Sequence, residues 1–530
     1  MRKRSILLPA AGLVMLLVFL LLVWFFSGVR EDLDDYDTVE RRPKIRPEYQ
    51  DAVIPPNICP LNFIVAEPGI RYAVRISSTR GEPIEVQTRS ASVVIPPTAW
   101  RALLGENAGE KLTFDVYVKN EDERWQRFAP IVNTIAEEKI DPVLVYRDMP
   151  AYNLKWQDMA IVQRDLEGYD RAVILRSRGI GNGCCNCHSF RGNRPEDMLL
   201  QVRGGPGANV TGGMLVARGG AVEKIVGTKT PLNAVPGRFL GWHPSGRIVA
   251  FSTDDIPLYY NEAGPNRYTV EKACDVFIYL IDSNTVTTTP EIARSDRIES
   301  SPAWSHDGRF LYFVSTAVGP IEEYRERRYD LVRVGYDIET NTWGTPEVVI
   351  STNPETPALA RPRTPLRKGH YSVSQPKVSP DGRFLCFCIA EYGNFPPWVE
   401  SSDLCMLDLE EMEYWYLDAL NSGESEAWHC WSSNSRWIVY SSQKDTGLLV
   451  RPYFAHIDAT GNATGPFVLP QKDPTFYDTY IRTYNRPEFT TGRVRITQRH
   501  LLRALSAPEK QVRAQADPKL APAAEAGGRD

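Results

Sequence analysis

Residues 181–190, GNGCCNCHSF, place three cysteines and a histidine within five positions, in a chain with nine cysteines and seven histidines among 530 residues. The string C-x-x-C-H is the pattern of c-type haem attachment. Two thiols must reach two vinyl groups on one porphyrin edge, and the next residue must turn an imidazole onto the iron. On this reading Cys184 and Cys187 form the thioethers, His188 is the proximal iron ligand and haem c is held covalently. Cys185 fills a variable position with another thiol. A structural or redox C-x-x-C pair and a zinc site use the same residues. A structural zinc site wants a second ligand pair at knuckle spacing, and no other C-x-x-C occurs.

The axial partner decides what such a haem does: Met/His favours electron transfer, and an open site favours gas or peroxide chemistry. Met214 follows a glycine-rich loop, GGPGANVTGG, long enough to wrap a porphyrin edge, and is preferred over Met198 as distal ligand. Met149 and Met159 precede the motif, in a stretch that leads from one domain to the next. His243, His306 and His429 fall in repeat turns and read as structural. Pro195, Glu196, Asp197 and Gly204-Gly205 carry helix start and stop signals, which predicts a short helix over 195–203.

Haem of this kind is attached outside the bacterial cytoplasm, so the chain must be exported. After MRKR, the run Ser5–Val29 contains no charge. Its 25 residues exceed the h-region of a signal peptide and suffice to cross a membrane. WFFSGVRED lacks a small-residue cleavage pattern, so residues 1–30 read as an uncleaved transmembrane anchor. Arg2, Lys3 and Arg4 stay inside. The body then faces the periplasm from the inner membrane. Net charge is −5, and without those three residues the rest carries about −8. No basic patch suits nucleic acid. Cys274, Cys386, Cys388, Cys405 and Cys430 sit in apolar, strand-like runs and read as buried free thiols.

These residues need a scaffold, and the patterning points to a mainly β one. Residues 31–58 are charged and Pro-rich and read as a linker. Residues 59–147 read as a small β-sandwich-like domain, with period-two strands in RYAVRIS and KLTFDVYVK and a short helix at TAWRALLG, capped by Thr98. Residues 148–235 hold the haem motif and first propeller strands, 236–495 hold repeats, and 496–530 form a tail, disordered over 507–530. GWHPSGRIVAFST, AWSHDGRFLYFVST, KVSPDGRFLCFCIA and CWSSNSRWIVYSS are four versions of one unit: strand end, polar turn, basic residue, apolar strand. DVFIYLID, DLVRVGYD and DLCMLDL are its second signature. The period suits four-stranded blades of a β-propeller, and long insertions at 255–273, 317–329 and 351–372 are candidate rim loops. Asn434-Ser435 replaces Asp-Gly, which predicts a looser fourth turn.

The W-S-x-D-G-R units resemble the repeats of TolB-like periplasmic propellers. Residues 50–490 as a whole resemble envelope proteins that join a small β domain, a C-x-x-C-H segment and a TolB-like propeller. The shared stretches are IPPNICPLNF, DPVLVYR, CNCHSF, GWHPSGRIVAFS, WSSNSRWIVYSS and RPYF. The resemblance implies about six blades, and leaves the role open between a monohaem electron-transfer or redox-partner protein, a scaffold that docks envelope proteins, and a haem enzyme. No G-x-S-x-G elbow, H-E-x-x-H or P-loop is present.

Protease added to spheroplasts is expected to digest the chain from residue 31 onward and leave the first helix embedded. A mature N-terminus near residue 30 would instead mean a cleaved signal and a body free of the membrane.

Overall fold

The computed structural model describes residues 30–520, apart from 152–157, 206–211, 234–235, 257, 261–267 and 370. The expected anchor lies outside the described residues, and no described helix is long and apolar enough to cross a membrane.

Hydrophobic alternation and tight turns build six mainly antiparallel sheets of four or five strands. Their inner strands are Cys184–Phe190, Arg238–Trp242, Arg297–Trp304, Ser372–Val378, Glu426–Trp431 and Arg482–Thr490. Each inner strand touches the next, and the last touches the first, so the ring closes. These sheets are the blades of a β-propeller, numbered here in the order of their inner strands. The sixth blade joins the two ends of the ring. Its inner strand, Arg482–Thr490, pairs with Val143–Pro150, which pairs with Ala160–Asp165 and then Arg171–Arg176.

Four repeats are visible in the sequence, and the ring needs two more. The missing units are CNCHSFRGN and NRPEFTTG, which occupy the same place in the first and sixth blades. The haem-like motif is therefore itself an inner strand of the propeller. The turn at Asn434-Ser435 is as tight as the others. Ser435 takes the left-handed backbone at φ 60° that Gly246, Gly308 and Gly382 take elsewhere. Its N–H bonds the Ser432 carbonyl at 3.0 Å, matching 2.9–3.0 Å in the other three turns.

Several expectations need correction. Residues 31–58 are not a linker: Tyr36–Val39, Ile45–Arg46 and Val53–Ile54 are strands of the N-terminal domain, and Leu33 and Tyr49 are buried in it. That domain pairs a seven-stranded sheet with a three-stranded one and carries the helix Pro97–Glu106, which starts one residue before Thr98. It ends before residue 143, because Val143–Pro150 belongs to the sixth blade. Its core is continuous with the fifth blade through Trp431, Trp437 and Phe454. Residues 198–203 form a strand, not a helix, since Met198–Arg203 pairs with both Cys184–Phe190 and Gly213–Arg218. The tail is ordered as far as it is described. After the helix Gln498–Leu505, Gln511–Arg513 and Gln515–Ala516 add parallel edge strands to the first and second blades, which covers otherwise open edges.

Removing residues 482–530 takes away the strand that closes the ring and is expected to abolish soluble folded protein. Removing only 507–530 is expected to leave the propeller folded with a lower melting temperature. Circular dichroism and limited proteolysis check both. A folded 1–481 fragment would overturn the closure.

Candidate functional site at the propeller axis

Every inner strand carries one bulge. Register shifts fall at the same place in all six blades. The residues there with left-handed backbone are Cys187, Phe239, Ser301, Gln375, Trp428 and Arg486, at φ between 43° and 56°. Non-glycine residues hold such a backbone only where the surroundings over-determine it, at about 1–3 kcal/mol each. A bulge also re-aims a side chain. Along a regular strand, residues three apart face opposite sides. The extra residue at Cys187 brings it round to the side of Cys184. Both sulfur-bearing side chains then open onto one axial cavity of about 260 Å³. Phe239, Trp428 and Arg486 reach the same cavity from the equivalent bulges of their blades.

The lining is cationic and aromatic. Arg147, Arg203, Arg238 and Arg486 contribute guanidinium groups, and no carboxylate lines the cavity among the described residues. Arg486 donates from Nη1 to Cys187 Sγ at 2.8 Å. Its guanidinium also lies 4.7 Å from the centre of the Trp428 ring and 5.4 Å from that of Phe239. Phe239 stacks on Trp428 at 6.0 Å and meets Phe395 edge-on at 5.8 Å. Arg147 donates to Asn485 Oδ1 at 2.7 Å and to Asn186 Oδ1. Two of the four cations, Arg147 and Arg486, are thus held in place by neutral partners.

The remaining motif residues face inward. Cys185 packs in the core with Val145 and Ile161, its thiol 3.4 Å from Ser177 Oγ, and burial pushes it up to about 11. It is inert packing behind the strand. His188 is fully buried and is not among the residues that line the cavity, and neither ring nitrogen has a hydrogen-bond partner. Burial first, then the charges of Arg486 and Arg147, lower its pKa to about 3, so the ring is neutral. The Val145 backbone pulls weakly the other way, without a well-formed hydrogen bond.

The fifth blade supplies an internal comparison. His429 occupies the position of His188, one residue after the bulge, on a strand rather than in a turn. It is equally buried and also lowered to about 3. Its ring is satisfied: Nε2 lies 2.9 Å from the Cys386 carbonyl and Nδ1 lies 3.8 Å from Cys388 Sγ. A histidine that serves only packing can be partnered here. His188 is not.

The glycines around the motif are positional. A Cβ on Gly183 would meet the Arg203 carbonyl at 1.9 Å, and one on Gly205 would meet that of Gly181 at 1.7 Å. The glycine-rich loop thus begins against the motif, as expected. Neither expected methionine reaches the cavity. Met198 and Met214 are fully buried in the apolar layers on either side of the first blade. Being strand residues, their side chains are committed to those layers and do not wrap a cofactor. Met159, from the sixth blade, lines the cavity instead. His243 bonds Ser245 Oγ at 2.8 Å and the Gly308 carbonyl at 3.2 Å, a structural use. Cys274, Cys386, Cys388 and Cys405 are buried free thiols and Cys430 is partly buried.

No family model matches the chain, and no curated protein matches it. Among solved structures, it is similar to oligogalacturonate lyase from Vibrio parahaemolyticus, at 9% identity and TM-score 0.31 over 60% of this chain and 92% of that one. It is also similar to the β-propeller domain of the Trilobed protease from Pyrococcus furiosus, at 12% identity and TM-score 0.27 over 69% and 94%. A third is the periplasmic gluconolactonase of Pseudomonas aeruginosa, at 12% identity and TM-score 0.24 over 60% and 81%.

A buried neutral histidine makes stability fall with acid. The folded pKa near 3 lies below the unfolded value near 6.5, so His188 stabilises fully above pH 6.5 and loses that contribution as pH drops towards 3. At pH 5 the loss is ~2 kcal/mol. His188→Leu places there the residue type found at Leu240 in the second blade. In protein produced without haem maturation, this variant is expected to unfold with that much less acid sensitivity between pH 7 and pH 5. Denaturant midpoints measure it, and an unchanged pH dependence would refute the buried neutral ring.

Proposed function

We propose that the axial cavity is a covalent haem c site and that the protein is a membrane-anchored, periplasm-facing redox protein of the TolB-like propeller type. The observation that carries this reading is the shared cavity of Cys184 and Cys187, with a fully buried, unpartnered and neutral imidazole at the next residue, His188. Neutral imidazole is the form that ligates metal. Buried polar atoms without partners are rare and call for an explanation, and iron ligation supplies one for one of the two nitrogens.

The residues fit the group. Cys184 and Cys187 would carry the thioethers, and His188 would ligate the iron. The four arginines provide cations for two propionates. Phe239, Trp428 and Phe395 form an apolar wall that excludes water. At about 260 Å³ the cavity is slightly below the usual ~300–1,000 Å³ of small-molecule sites, so it suits the attached edge of a macrocycle better than a whole one. When bound, haem supplies one-electron chemistry at its iron. The protein's part is to orient the attached edge, neutralise the propionates and keep water away. Met159 replaces Met214 and Met198 as the methionine placed to be a distal ligand, since it is the one that lines the cavity among the described residues.

A second reading rests on the same cations. With the thiols left free, four guanidinium groups and stacked aromatic rings make a pocket for an anionic small molecule, as in a haem-free scaffold or an enzyme.

Co-expression with a c-type maturation system separates the two. Haem is expected to stay on the denatured protein, each of Cys184→Ala and Cys187→Ala is expected to lose one thioether, and Cys185→Ser is expected to keep both. Denatured wild-type protein without haem would end the cytochrome reading and favour the anion pocket.

A further inference from the structure

A second cluster of metal-ligating side chains lies between the second and third blades, apart from the C-x-x-C-H strand. Asp254 follows the strand Ile248–Ser252, and Glu271 and Cys274 precede the strand Val276–Leu280. The three residues therefore stand at the two roots of the 255–273 insertion. They are 1%, 3% and 1% exposed. A ligand atom of each lies within 4.8 Å of the other two.

The surroundings orient these side chains without satisfying them. Glu271 Oε2 accepts from the Tyr329 hydroxyl and from Asn394 Nδ2, each at 2.9 Å. Asp254 Oδ1 accepts from Cys274 Sγ at 2.8 Å, from Ser252 Oγ at 3.2 Å and from Ser300 Oγ at 3.4 Å. The other carboxylate oxygens, Asp254 Oδ2 and Glu271 Oε1, are buried with no donor, and burial together with the neighbouring Asp254 holds the Glu271 carboxyl well above the usual carboxylate range. No ion pair reaches either carboxylate among the described residues. Arg327 is nearby, but it donates to the carbonyls of Glu271, Gly319 and Pro320. Two acids and a thiol thus share one buried site with two oxygens that receive no donor, an arrangement that calls for a shared proton or a compensating cation.

We propose that Asp254, Glu271 and Cys274 bind a divalent ion of the zinc class, through the thiolate and one oxygen of each carboxylate. A mixed sulfur and oxygen donor set suits zinc. Calcium and magnesium require six or more ligands, mostly or entirely oxygen. Tyr329 and Asn394 act as the outer partners that fix the Glu271 carboxylate. The ion clamps the two ends of the insertion together. Ile256, two residues past Asp254, and Phe395, next to Asn394, both line the axial cavity. The clamp therefore also sets one wall of that cavity, whatever the cavity binds.

The test uses the full chain, stripped of metal by dialysis against a chelator and kept reduced, titrated with zinc alone against a chromophoric competitor. The background is Cys184→Ala/Cys187→Ala, so that the axial thiols cannot contribute. One zinc equivalent is expected to bind and to raise the melting temperature. Cys274→Ser, Asp254→Asn and Glu271→Gln are each expected to weaken binding by at least ~100-fold. Circular dichroism confirms that each variant is folded, and the near-isosteric Glu271→Gln covers the case in which another fails to fold. Cobalt in place of zinc is expected to give a sulfur-to-metal absorption band that Cys274→Ser removes. No binding in this background, or binding that all three variants keep, overturns the site. Neither result bears on haem attachment, which is read separately.

Discussion

One backbone irregularity governs this molecule: the bulge repeated once in each inner strand. A closed ring of six twisted blades brings the inner strands close at the axis, and in four of the six blades the bulge residue lines the axial cavity. The cost is a left-handed backbone at six non-glycine residues, including the bulky Phe239 and Trp428. That cost is met by regular pairing on either side of each bulge and by the ring itself. In the first blade it has a chemical consequence. A C-x-x-C spacing on a plain strand would put its thiols on opposite faces. With the extra residue at Cys187, both open onto the same cavity.

The repeats with Asp-Gly or a similar turn were legible in the sequence because the turn chemistry is local. The first and sixth units were not. CNCHSFRGN shares only its aromatic and turn positions with GWHPSG, and its cysteines draw attention to cofactor chemistry before repeat structure. The shared signal was present: Phe190, Trp242, Trp304, Val378, Trp431 and Phe489 each stand three residues after a bulge. The helix expected at 195–203 failed for another reason. Pro195, Glu196 and Asp197 do resemble a helix start, yet Met198–Val202 is buried on both faces, which suits a central strand and erases the alternation that would reveal it. Residues 31–58 have the composition of a linker, but their order comes from pairing with distant strands such as Trp125–Phe128. The sixth blade joins positions more than 330 residues apart, and no local pattern announces such a pairing.

The candidate site was half legible. Cys184, Cys187 and His188 stand out in the sequence through the C-x-x-C-H spacing. The environment does not, since Arg147, Arg203, Arg238 and Arg486 come from three different blades and are scattered through the chain. Their convergence is the dominant electrostatic fact of the axis. Arg147 and Arg486 are buried there, and neutral acceptors such as Asn485 and the rings of Trp428 and Phe239 soften the cost of placing two like charges close together. Burial first, and then the charges of Arg486 and Arg147, keep the imidazole of His188 neutral.

The seven-residue strand Cys184–Phe190 serves both ends of the axis. Its first half supplies the thiols to the arginine cavity. Its last residue, Phe190, joins Trp242, Trp304, Trp431 and Phe489 around a second cavity of about 250 Å³ on the turn side. A thioether linkage would fit this placement better than a non-covalent one. The inner strand cannot swing away from a ligand without breaking its hydrogen bonds to Met198–Arg203, so a group attached there inherits the fixed position of the propeller axis. A helical turn gives a haem its orientation through local geometry. Here the orientation would come from the ring of blades, and the bulge is the joint that makes the two compatible.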